Sequence, residues 1–286
     1  MIYRFLLISL LVGSQILSAR SEGVNHAKVA FSELDKAVAM LEATKTGAAE
    51  LARARELRIP IIAGQVSKTD ITATRVMIGN EEKLTYQTEV MVAQDKEAAF
   101  QALDLAHELV HATNPKNNPF DPSLNLADYV KHGIEGAGGE AQAIAAECKA
   151  GQEMIEQTGA TALKTDTIQT IKARCQFVWK TVPQDSKWKQ SFYHLGNHYG
   201  EFLSQVAGLH LKENEKADWR DKVESKSPMF ASAVAHKPYP LALLEEYVEI
   251  TKRVCEKTKL KSINRAIASI SLLQERCRAV GATLIE

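Results

Sequence analysis

The stretch Leu105-Ala106-His107-Glu108-Leu109-Val110-His111-Ala112 decides how this chain is read. Leu103, Ala106, Val110 and Ala112 are apolar or small, Asn114-Pro115 halts the run, and Asp95 is a suitable N-cap upstream, so a buried helix is expected over 98–113. On such a helix residues i and i+4 share a face. His107 and His111 can therefore offer both imidazoles to one Zn²⁺. Glu108 sits beside the first imidazole, where it can reach a water polarised by the metal instead of the metal itself. It can then take the proton of that water during attack on a carbonyl and return it to a leaving amine. Two imidazoles and a carboxylate on a buried helix need partners in any case, because burying them unpaired is costly.

Working outward, the upstream chain changes character twice. Val29, Ala30, Leu34, Ala37, Val38 and Leu41 recur at helical spacing between Glu22 and about Ala43, Gly47 is expected to break the run, and a second helix follows to about Leu57. Ile59–Ile62, Ile71–Ile78 and Thr85–Val92 are short and β-branched or alternating, with Gly79-Asn80 as a turn, which reads as two or three antiparallel strands. Downstream, 114–127 is a loop rich in Asn, Pro and Asp. An Ala-rich helix starts near Gly138-Gly139-Glu140 and runs to about Gln157, and amphipathic helices follow near 163–180, 186–212, 240–257 and 260–280. The expected fold is α+β and predominantly α-helical: a small antiparallel sheet packed on the His-bearing helix, then a helical C-terminal region. The organisation is 1–21 as a leader, 22–158 as the region carrying the motif, and 159–286 as the helical remainder.

The leader reading rests on Arg4, the apolar run Phe5–Val12 and the small-residue exit Ser18-Ala19-Arg20-Ser21, the pattern of a secretory signal. The run is too short for a membrane anchor, which needs about 20 apolar residues. The chain has 286 residues and a formal net charge of zero; removing 1–21 takes away Arg4 and Arg20 and no acid, leaving −2. That balance excludes broad binding to nucleic acid and a polybasic grip on anionic lipid. No later run is long enough to anchor the exported chain. Export to a periplasmic or extracellular space makes disulfides plausible for Cys148, Cys175, Cys255 and Cys277. Each of the pairs 148/175 and 255/277 flanks one helix–turn–helix pattern, so those pairings are favoured; four free thiols are the alternative.

Over about 70 residues, roughly 80 to 150, the sequence resembles the zincin metallopeptidases. The resemblance is carried by Leu105–Ala112 and by the Thr85–Val92 strand, which looks like the sheet edge that holds substrate backbone in that family. It implies one zinc ion with a third protein ligand. The branch with a histidine six residues after His111 is excluded, since Asn117 stands there. The glutamate branch takes a Glu from a downstream helix. Glu140 is the best match, followed by Ala141 and flanked by Gly138, Gly139 and Ala143, small enough for close approach to the first helix. Glu135 and Glu147 are alternatives, Glu147 also as a residue that orients a ligand imidazole, and His132 is a weaker one. For oxyanion stabilisation the candidates are Tyr193, His194 and His198, the histidines again at i and i+4, and His236 and Tyr239 in the Pro-containing stretch before the next helix.

The implied activity is hydrolysis of peptide bonds in an exported peptide or protein substrate. A zinc-bearing scaffold without catalysis is the alternative, though Glu108 has little structural use in one.

Overall fold

The computed structural model describes residues 32–79, 81–157, 163–181, 188–193, 239–257 and 267–284. The expected leader, most of the expected helix over 186–212, and His194, His198 and His236 lie outside these residues. Helices α1 (Glu33–Ala43) and α2 (Lys45–Glu56) lead into strands β1 (Ile61–Gly64), β2 (Lys68–Ile78) and β3 (Glu81–Ala93). Then come α3 (Ala98–Thr113), α4 (Leu126–Glu135), α5 (Glu140–Gln157), α6 (Thr165–Thr181), a 3-10 turn (Trp188–Tyr193), α7 (Tyr239–Lys257) and α8 (Ile267–Ala279). The fold is predominantly helical with one small three-stranded sheet.

The break between the first two helices falls at Thr44, not at Gly47. Thr44 ends α1 and caps α2, its hydroxyl accepting from the Gly47 amide at 2.9 Å. Gly47 lies inside α2 because a Cβ there would meet Leu41 Cδ1 and the Leu41 carbonyl at 2.3 Å. Close packing of two helices, rather than helix breaking, explains this glycine.

The sheet differs from an antiparallel meander. Its order is β1-β3-β2: β2 pairs with β3 antiparallel, and β1 pairs with β3 in parallel. The link 65–67 crosses the end of β3, where the Ser67 hydroxyl accepts from the Ala93 amide at 3.0 Å. It carries β2 to the far side, and β3 returns from the hairpin into the gap. Thr85–Val92 is therefore the central strand, and the free edge nearest the histidines is β2.

Helix α3 is buried around nearly its whole circumference by α1, α2, α5 and the sheet, the situation of a helix that is apolar on most faces. Alanines at 98, 99, 102, 106 and 112 allow that approach. Its N-cap is Glu97, whose side chain makes no cap hydrogen bond. That carboxylate is engaged instead by Lys164 Nζ at 2.7 Å and Thr167 Oγ1 at 3.2 Å, and Asp95 lies in the preceding turn. The buried polar side chains of α3 are nearly all accounted for, as burial requires. Asp104 accepts from Ser67 Oγ and Lys96 Nζ, Gln101 Nε2 donates to the Lys96 carbonyl, and Thr113 Oγ1 lies 2.7 Å from Leu109 O and 3.0 Å from Glu50 Oε2.

Helix α4, which the loop-like composition before it concealed, is capped by Asn125, whose side chain accepts from the Asp128 amide. A second core joins α4, α5, α6, the 3-10 turn and α7, so packing runs across residue 158. Two disulfides, Cys148–Cys175 between α5 and α6 and Cys255–Cys277 between α7 and α8, match the pairing read from the sequence and fit an oxidising compartment. Among the described residues no helix is long and apolar enough to cross a membrane.

Candidate metal centre

Three side chains converge where α3 meets the start of α5. His107 Nε2 lies 3.1 Å from His111 Nε2 and 3.3 Å from Glu140 Oε2, and His111 Nε2 lies 3.5 Å from Glu140 Oε1. The outer ring nitrogens are already committed. His107 Nδ1 is 3.2 Å from Glu147 Oε2, and His111 Nδ1 is 2.8 Å from the Gly138 carbonyl. Both partners are acceptors, so each Nδ1 carries the hydrogen and, in the neutral rings, each Nε2 presents a lone pair. Two lone pairs and a carboxylate thus face one point. Glu140 Oε2 is buried there and accepts no hydrogen bond. Acceptors that face one another repel unless a proton or a metal ion lies between them. Ligand atoms each about 2.1 Å from a tetrahedral ion lie about 3.4 Å apart; the ring–ring separation and the separations to one or other Glu140 oxygen fall near that figure.

The same cluster holds protons more tightly than isolated imidazoles would. Burial alone would lower the pKa of His107, but Glu140 and Glu147 outweigh it and hold it well above the ordinary value. His111 is raised in the same way, burial being overcome by Glu140. Burial pushes the Glu140 carboxyl up, yet His111 and His107 pull it down to about 2. Without a metal, the site holds a proton in its place.

The supports are built into the helices. Glu147, two turns along α5 from Glu140, is held by Arg174 Nε at 2.7 Å. Gly138 presents its carbonyl to His111 from a backbone with φ +75°, and a Cβ there would lie 2.4 Å from Asn114 Cβ. Gly138→Ala is expected to destabilise the protein by about 1–3 kcal/mol, since both the left-handed backbone and the contact disfavour a side chain. Thermal unfolding of the metal-free protein checks this; an unchanged midpoint would show that the turn does not depend on glycine.

Glu108 points to the other side of the pair. Thr69 Oγ1 on β2 lies 2.8 Å from both Glu108 Oε2 and the Glu108 carbonyl. The pair opens into a cleft of about 500 Å³, with β2 on one wall and α7 on the other. Tyr239, the first residue of α7, lines the cleft beside the centre, and burial near Glu140, Glu147 and Glu108 raises its pKa well above the ordinary value. Tyr193 does not line the cleft; its hydroxyl donates to Glu135 Oε1 at 2.8 Å, so these two candidates satisfy each other elsewhere. His132 lines the cleft but is outside the converging group. Glu147 shares a second cluster with Cys148 and Cys175, whose sulfurs are bonded to each other.

Thr69, Lys116, Tyr129 and Glu246 are among the cleft residues not singled out from the sequence. Thr69 sits at an alternating position of β2, the one local signal that could have drawn attention to it. No family model, curated protein or solved structure matches this chain.

Proposed function

We propose that this protein is an exported zinc-dependent metallopeptidase, acting in a periplasmic or extracellular space on peptide bonds. The observation that carries the reading is the convergence of His107, His111 and Glu140 on one point, with Glu108 adjacent and the whole open to a cleft. Two imidazoles and one carboxylate are a donor set suited to zinc. Zinc, when bound, would supply Lewis acidity toward the scissile carbonyl and lower the pKa of water toward about 7.

The chain's own groups would divide the remaining work. Glu108, held by the Thr69 hydroxyl, accepts a proton from the attacking water and delivers it to the leaving nitrogen. Tyr239 keeps its proton because burial raises its pKa, and can donate to the oxygen that gains charge at the reacting carbonyl. Glu147 and the Gly138 carbonyl fix the two ring tautomers. The free edge of β2, which no strand among the described residues covers, can pair with the backbone of an extended peptide.

Purified without chelators, the protein is expected to hold about one zinc per chain and to cleave members of a peptide library. A chelator should stop cleavage and zinc should restore it. Zinc binding without turnover of any peptide would leave a metal-bearing scaffold and overturn the peptidase reading.

A further inference from the structure

The cleft contains a carboxylate that the proposed chemistry does not use. Tyr239, Ala242, Leu243, Glu246 and Ile250 line it from one stripe of α7, as spacings of three, four and seven residues place side chains on one helix face. Glu246 is the polar member beyond Tyr239, and it is exposed to the cleft. Tyr129 on α4 lines the same cleft and acts on Glu246 across the α4–α7 packing. Among the described residues no lysine or arginine pairs with it. The two lysines that line the same cleft are engaged: Lys68 Nζ lies 3.1 Å from Asp70 Oδ2, and Lys116 Nζ donates to the His111 carbonyl. The other acids of the lining, Glu108 and Glu140, belong to the centre itself.

A carboxylate that faces the cleft with no protein cation against it can take a cation from a bound molecule. The surrounding protein raises its pKa and the Tyr129 hydroxyl counteracts that. Leu243 and Ile250 on either side give an apolar surface along which an aliphatic stem can lie while its charged head reaches Glu246.

We propose that Glu246 is the specificity-determining carboxylate of this cleft, binding an alkylammonium or guanidinium cation of a peptide whose aliphatic stem packs on Leu243 and Ile250. The assignment rests on the peptidase reading for its substrate class, but its geometry is independent of turnover. The cation has two sources in a peptide, a Lys or Arg side chain and the free amino terminus.

The test uses the full chain, zinc-loaded and carrying Glu108→Gln so that bound peptide persists. Three synthetic peptides are titrated by calorimetry: one blocked at both ends with a central lysine, the same with norleucine, and the norleucine peptide with a free amino terminus. The lysine peptide should bind about tenfold more tightly than blocked norleucine. Adding Glu246→Gln should erase the difference, and Glu246→Lys should favour a glutamate peptide. If only the free-terminus peptide gains affinity through Glu246, the cation is the terminus and the site stands. Equal binding of all three peptides, or a preference that survives Glu246→Gln in a variant with parental zinc content and melting temperature, overturns the proposal. Cleavage by the parent chain separates the two readings. Glu246-dependent binding without cleavage removes the peptidase and keeps the cation site. Cleavage with no preference for a cation keeps the peptidase and removes the site.

Discussion

In the zinc-loaded protein, Glu108→Gln is expected to slow peptide hydrolysis roughly 10²–10⁴-fold, the range a positioned general base supplies, while zinc content and melting temperature stay near the parent's. Gln is isosteric with Glu, and its amide oxygen can still accept from the Thr69 hydroxyl that lies 2.8 Å from Glu108 Oε2. The α3–β2 contact therefore survives. What is lost is the ability to take a proton, which an amide does not do near neutral pH. Glu108 stands outside the group formed by His107, His111 and Glu140, so removing its charge should not release the metal. Turnover at saturating peptide and zinc per chain, measured on one preparation, separate the roles. Undiminished turnover would sink the general-base assignment. Loss of zinc along with activity would make Glu108 a ligand.

Residues 105–112 disclosed the site because helical spacing is a local property: once α3 is a helix, His107 and His111 must share a face. Glu140 was legible for a related reason, since the small residues around it permit close helix packing. The sheet was not legible in the same way. Nothing in Ile59–Ile62 says whether it will lie beside the next strand or the one after, because the crossing at 65–67 is fixed by Ser67 binding Ala93 and Asp104, contacts distant in sequence. For that reason β2 forms the edge at the cleft, and β3 reaches it only through Tyr86. Glu246 and Tyr129 escaped notice for the same cause. Each lies on an amphipathic helix where a charged or aromatic residue is ordinary, and only the packing of α4 against α7 brings them together. Gly47 was misread because composition cannot tell a helix breaker from a close approach.

Removing Glu140 should weaken zinc binding more than removing Glu147, and both more than any other glutamate of α5. The two carboxylates touch opposite edges of the same imidazole. Glu140 Oε2 lies 3.3 Å from His107 Nε2, on the side where His111 Nε2 also points, whereas Glu147 Oε2 lies 3.2 Å from Nδ1. Glu140 can therefore share an ion with both rings, and Glu147 can only orient one of them. Loss of such an orienting partner costs roughly 10–100-fold in metal affinity, which is the expectation for Glu147→Gln; Glu140→Gln, which removes a charge from the ion itself, should exceed it. The pH dependence distinguishes them further. Zinc requires both imidazoles neutral, yet in the metal-free protein His107 holds its proton well above the ordinary value of 6.5. Zinc affinity should fall as pH is lowered through that raised value, with protons released on binding above 6.5. Because the folded pKa is raised, the proton's contribution to stability is complete below the unfolded value and is lost as pH rises through the folded one. The metal-free protein should thus lose stability on the alkaline side, while the zinc-loaded protein should not. In Glu147→Gln the His107 pKa drops toward its ordinary value, so both the proton release and the alkaline loss should shrink. Titration calorimetry in buffers of different ionisation enthalpy counts the released protons. An equal count in parent and Glu147→Gln would show that Glu147 does not act through His107.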